Sequence, residues 1–311
     1  MVPSAPLFRD PIYDGAADPA IIRNHRTGEW WIFYTNRRAF SPCLDVEFMH
    51  GTDIGIASSS DGGCSWVYRG TAQGLCYEPG RNTYWAPEII EHNGICHMYV
   101  SYVQGIPSSW EYPRKILHYT SSDLWHWDFQ SELQLSSERV IDACVHSMPD
   151  GRFKMWYKDE LHESHTWSAV SEDLSHWAVC GPEITDCPHE GPNVFYFHDL
   201  WWMITDTWNG LGVYKSKDAQ HWQRCSDILK EPGIREDDGT IANHADVLVH
   251  QGRAYIFYFT HPRLIAEERN HPDFSWKGRG YEQRRTSLQA AELTCQNGML
   301  VCDRDHVNIE L

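Results

Sequence analysis

Five times along the chain an acidic residue stands at the head of a short run of β-branched and aromatic residues, and a tight turn leads into a second such run. The first instance reads Asp18-Pro19-Ala20-Ile21-Ile22, turns through Arg26-Thr27-Gly28 and returns as Trp30-Trp31-Ile32-Phe33-Tyr34. Strand-forming runs split by a Gly-containing turn predict a β-hairpin. The other four open at or near Glu88, Asp142, Glu190 and Asp246. They turn at Asn93-Gly94, Asp150-Gly151, His198-Asp199 and Gln251-Gly252. No stretch of helical period competes with this pattern.

Each hairpin is followed by a second strand pair, marked by a polar turn and usually a Trp. Ser59-Ser60-Asp61-Gly62-Gly63-Cys64-Ser65-Trp66 resembles the Asp-box turn of many β-propellers. Shorter variants run Ser121 to Trp127, Ser171 to Trp177 and Ser216 to Trp222; the last unit ends with a Gln296-Asn297-Gly298 turn. Four strands per unit, repeated every ~45–70 residues, predict an all-β, five-bladed β-propeller with four antiparallel strands per blade. A β-sandwich would not repeat the same unit five times. The blades fall at approximately 17–75, 84–135, 140–182, 189–230 and 241–305, in one domain spanning 1–311.

In a propeller the first strand of each blade lines the central channel. Asp18, Glu88, Asp142, Glu190 and Asp246 should therefore converge at one mouth. The loops returning to that face are the long ones: 36–52, 104–114, 159–165 and above all 261–283. Chain length spent on one face of a rigid scaffold is how loops build a site.

Composition narrows the partners. Acids outnumber Lys and Arg 43 to 26, a net charge of −17, which argues against nucleic acid or an anionic membrane. The ten cysteines show no CxxC pair or regular spacing, so free thiols are expected rather than a disulfide framework. The N-terminal residues lack a basic n-region and an apolar h-region, and no run approaches the ~20 apolar residues of a membrane span. Neutral sugars or cationic ligands remain possible partners, and a soluble cytoplasmic protein is the expectation.

Clustered carboxylates repel one another, so a fold that gathers them usually uses them. Two carboxyl groups, one protonated and one ionised, are the minimal apparatus of glycoside hydrolysis. The bland alternative is that these acids only cap strands and turns. That alternative weighs most for Glu88 and Asp246. Trp85 and Trp208 are candidates for an aromatic platform beneath a sugar ring, and Glu88 and Arg285 for substrate contacts.

Ala17-Asp18-Pro19, Trp85-Ala86-Pro87-Glu88, Ile141-Asp142 and Glu190-Gly191-Pro192 together resemble the successive blade motifs of glycoside hydrolase family 43. That family consists of five-bladed propellers that remove arabinofuranose, xylose or galactose by inversion. The resemblance implies an exo-acting hydrolase with Asp18 as general base, Asp142 as modulator of the acid's pKa and Glu190 as general acid. His244 matches the family's channel histidine. The resemblance thus implies no required cofactor but a structural calcium in the channel, with His244 as its neighbour. Asp142 departs from the family's Asp-Pro, being followed by Ala143. His189 beside Glu190 is similar to family 117, which cleaves 3,6-anhydro-L-galactose from agar oligosaccharides and whose proposed acid is a histidine. His189 is then either the acid or a hydrogen-bonding neighbour of the pocket. A glycoside phosphorylase would need several basic residues facing the acid, of which Arg284-Arg285 is the visible pair. A propeller that only binds sugar or protein would be expected to have lost one of the three carboxylates.

Overall fold

Every acidic hairpin of the sequence forms the inner half of a four-stranded antiparallel sheet whose strands run in chain order from the axis outward. Blade one comprises β1 (Ala16–Arg23), β2 (Trp30–Asn36), β3 (Asp53–Ser59) and β4 (Val67–Thr71). Blade two comprises β5 (Thr83–His92), β6 (Ile95–Val103), β7 (Lys115–Ser121) and β8 (Asp128–Glu132). Blade three follows with β9 (Val140–Ser147), β10 (Phe153–Asp159), β11 (His165–Ser171) and β12 (Ala178–Ile184). Blade four holds β13 (Glu190–Phe197), β14 (Leu200–Asp206), β15 (Leu211–Ser216) and β16 (Gln223–Arg224). Blade five closes the ring with β17 (Asn243–His250), β18 (Arg253–Thr260), β19 (Ser287–Gln296) and β20 (Met299–Cys302). The structure is a computed structural model that describes residues 2–269, 271 and 273–311. Met1, and Asn270 and Pro272 of the longest predicted loop, lie outside the described residues.

The inner strands touch in the cyclic order β1-β5-β9-β13-β17 and back to β1. The N-terminal segment seals the ring, because Leu7 and Phe8 pair with Leu288 of blade five while Ser4 N–H reaches Cys64 O of blade one. Between blades the core is aromatic. The turn tryptophans each pack against the preceding blade: Trp66 on Phe257, Trp127 on Phe33, Trp177 on Tyr99 and Trp222 on Trp156. Trp127 is fully buried and its indole N–H donates to Leu124 O. Truncating such a residue to Ala costs about 3–5 kcal/mol. The turns are held as the Asp-box resemblance implies, with the Asp61 carboxylate accepting from the N–H groups of Cys64 and Ser65.

All ten cysteines are free. Among the described residues, no helix is long and apolar enough to cross a membrane. Among the described residues helical structure is confined to loops: a 3-10 turn (Val46–Met49), α1 (Ala266–Arg269) and α2 (Tyr281–Arg284).

Candidate active site

At one level of the propeller all five inner strands slip by one residue against their neighbours. The slips fall between Ala17 and Ala20, Trp85 and Glu88, Ile141 and Cys144, Glu190 and Asn193, and Asn243 and Ala245. A bulge of this kind re-aims a side chain. The bulged residues are Asp18 in blade one, Ala86 in two, Asp142 in three, Gly191 in four and His244 in five. Asp18, Ala86 and Asp142 have φ of 50°, 43° and 59°, a left-handed conformation that costs of order 1–3 kcal/mol for a non-glycine residue. Gly191 is at φ 56°, and a Cβ there would stand 2.7 Å from His244 Cγ, so blade four carries its acid one residue earlier, at Glu190.

These bulges open on a pocket of about 810 Å³ at the axis. Asp18, Asp142, Glu190, Trp85, Trp208 and His244 line it, and the long loops supply the rest of its wall. Arg37 Nη2 donates to both Asp18 oxygens, at 3.0 and 3.3 Å. Asp142 Oδ2 accepts the Gly191 N–H at 3.1 Å, and its own N–H donates to Ser101 Oγ. His244 Nδ1 lies between them, 3.8 Å from Asp18 Oδ1 and 4.0 Å from Asp142 Oδ2. Lys158 Nζ is 3.1 Å from Glu190 Oε2 and 3.2 Å from Glu160 Oε1.

Protons distribute unevenly over this cluster. Burial, helped by the charges of Glu190 and Asp18, pushes Asp142 up to about 6 against the pull of His244 and Lys158. Burial also opposes ionisation of Glu190, but Lys158, Trp208 and His244 outweigh it and bring Glu190 down to about 2. Burial disfavours a charge on His244, yet Asp142, Asp18, Glu190 and Asp206 together raise its pKa.

Sequence reasoning missed Asp206. It is the cross-strand partner of Glu190. It accepts the Trp208 N–H at 2.7 Å and the His244 N–H at 2.9 Å, so one carboxylate fixes two pocket residues. Burial and the Glu190 charge raise it to about 7. An acid ending the apolar run Trp201-Trp202-Met203-Ile204-Thr205 was the available signal. Arg37 and Lys158 were likewise visible only as the polar ends of aromatic strands.

Several expectations are corrected by placement. Glu88 and Asp246 do not join the pocket: they tie inner strands together one step further along the channel. Glu88 Oε1 accepts Val145 N–H at 2.7 Å, and Asp246 accepts from Ile21 N–H and Asn193 Nδ2. The register slip explains this, because Ala86, not Glu88, is at the level of Asp18. His189 is fully buried away from the pocket. Its Nδ1 donates to Cys187 O at 2.8 Å, so the neutral ring accepts from Thr166 Oγ1 at Nε2, at 2.6 Å. Burial lowers its pKa to about 4. Arg285 is turned to Asp237 in a two-pronged pair of 2.7 and 2.9 Å, and Arg284 donates to Ser41 and Cys43 carbonyls.

The channel does not suit calcium, which takes six to eight oxygen ligands. Asp246 spends its oxygens on Ile21, Asn193 and Val247, and Asp18 is paired with Arg37. Among the described residues no three His, Cys, Asp or Glu side chains are grouped to hold a metal.

Fold and pocket together define a five-bladed β-propeller with an acid-lined axial pocket. No family model matches the chain, and no curated protein does. Solved structures do. A thermostable family-43 glycoside hydrolase is 16% identical, with a TM-score of 0.67 over 98% of this chain and 99% of that one. A family-43 β-xylosidase/α-arabinofuranosidase from a compost microbial metagenome, in complex with xylotriose in a calcium-free form, is 17% identical; the TM-score is 0.71 over 95% of each chain. A family-43 β-1,3-galactosidase with galactodeoxynojirimycin is 14% identical, with a TM-score of 0.69 over 99% of this chain and 100% of that one. At these identities the likeness establishes the propeller.

Proposed function

We propose that the chain is an inverting, exo-acting glycoside hydrolase that removes a terminal sugar from short oligosaccharides. The observation that carries this reading is the meeting of Asp18, Asp142 and Glu190 in one axial pocket, each from a different blade. A water held by Asp18 attacks the anomeric carbon as the glycosidic C–O bond breaks. Asp18 takes the water's proton, and Glu190 gives one to the departing oxygen. Asp142, held beside Glu190 by the Gly191 N–H, strengthens the acid's hold on its proton when it is itself ionised. The propellers it resembles include proteins described as a β-xylosidase/α-arabinofuranosidase and a β-1,3-galactosidase, which supports the same substrate class here.

The burial of His189 with both ring nitrogens engaged favours Glu190 over His189 as the acid, and with it this reading over the family 117-like one. The test is release of 4-nitrophenol from the α-L-arabinofuranoside, β-D-xyloside and β-D-galactoside, with the product anomer followed by NMR. No release from any, under conditions where the protein is folded, would favour a binding module; a retained anomer would end the inverting mechanism.

A further inference from the structure

We propose that the sugar held in this pocket carries a carboxylate, a uronic acid unit, and that Arg269 is the residue that reads it. The inference rests on the glycoside hydrolase reading and narrows its substrate class. In a chain where acids outnumber bases 43 to 26, five Lys or Arg side chains line the pocket. Four of them are matched within it. Arg37 pairs with Asp18 at 3.0 Å, Arg114 with Glu160 at 2.6 Å, Arg139 with Glu111 at 3.0 Å and Lys158 with Glu190 at 3.1 Å. The fifth, Arg269, has no carboxylate partner among the described residues.

Arg269 is nonetheless held in place. Its Cζ lies 4.7 Å from the Phe274 ring centre and 5.9 Å from that of Trp276, so the guanidinium rests against an aromatic pair of its own loop. Such contact restricts the side chain and reduces the entropy lost when it grips a ligand. Asp206 and Glu190 attract it from a distance while Arg37 and Arg279 repel it. A partly buried cation without a counter-ion is costly, and the geometry that relieves it is a planar carboxylate taking two parallel N–H groups. Neutral hydroxyls accept single hydrogen bonds and leave the charge unmatched. A tetrahedral sulfate or phosphate would call for converging cations, and the other four are already engaged. A carboxylate bound here also adds negative charge near Glu190, which favours protonation of the acid as substrate arrives.

The test compares glucuronate and galacturonate with glucose and galactose as ligands by calorimetry. It then compares the corresponding 4-nitrophenyl glycuronides and neutral glycosides as substrates. In the wild type the uronates should bind about tenfold more tightly or better than their neutral parents. Arg269→Gln should bring that ratio to about one, and Arg269→Lys should restore part of it. Equal affinity for charged and neutral sugars, or a preference that survives Arg269→Gln, overturns the inference. Turnover of neutral glycosides without any uronate preference overturns it while leaving the hydrolase reading intact. Uronate binding with no turnover of any glycoside does the reverse.

Discussion

Lys158 Nζ lies 3.1 Å from Glu190 Oε2, and this contact sets the charge of the free pocket. A general acid must hold a proton, yet Lys158 is the chief attraction that brings Glu190 down to about 2 against its burial. Lys158→Met keeps most of the stem and removes the charge. The basic limb of kcat/KM against pH, which reports the free enzyme's acid, should then move up by at least about one unit. Rates measured from pH 2 to 7 on an unactivated oligosaccharide, whose leaving group needs the acid, would show it. A limb that stays in place means that Glu190 is not the group titrating there.

Asp18 is expected to act only in the transition state. Asp18→Asn should lower kcat by about 10²-fold or more while sugar affinity, read by calorimetry, changes little. The product should carry the inverted anomer. A substrate complex should set the carboxyl carbons of Asp18 and Glu190 about 6.5–9.5 Å apart, room for the water between. A separation near about 5 Å would instead imply a covalent intermediate.

Much of this architecture could be read from residues alone, and the part that could not turns on single-residue register. The hairpins announced themselves because strand-forming runs and Gly turns are local signals. The long loops of the pocket face were a matter of counting. What the pattern could not reveal was the bulge. Asp18 and Glu88 look equivalent at the head of their runs, yet Ala86 occupies the bulge in blade two and Glu88 is left to tie blade two to Val145. A shift of one residue changes which face a side chain serves. Arg285 eluded the sequence for another reason: its partner Asp237 lies in the segment before blade five, 48 positions away. Asp206 and Lys158 matter through pairing across strands and blades, which no run of letters displays.

His189 and Glu190 are adjacent in sequence but face different surroundings, and kinetics should separate them. Glu190→Gln should abolish turnover of poor leaving groups and spare activated aryl glycosides, which need little protonation. His189→Gln should lower activity only modestly, through loss of the Thr166 contact. If the two patterns are exchanged in the experiment, the acid has been misassigned.

Asp206 gives the pH test of the whole cluster. Its folded pKa of about 7 stands above the ordinary carboxylate value near 3.8 because burial and Glu190 oppose its charge. A raised carboxyl contributes stability that is fully present below the unfolded pKa and is lost as pH rises through the folded one. The window is therefore about pH 4 to 7, and the loss across it is on the order of 4 kcal/mol. Asp206→Asn removes this titration. The amide can also accept from only one of the Trp208 and His244 N–H groups comfortably, costing about 1–3 kcal/mol at every pH. The variant should thus melt below the wild type at pH 5 and close that gap, or reverse it, at pH 8. Because both N–H groups belong to pocket residues, kcat/KM should fall as well, with a shifted pH profile. A melting difference that is the same at pH 5 and pH 8 would mean that Asp206 is ionised throughout, and that the proton assigned to it resides elsewhere in the pocket.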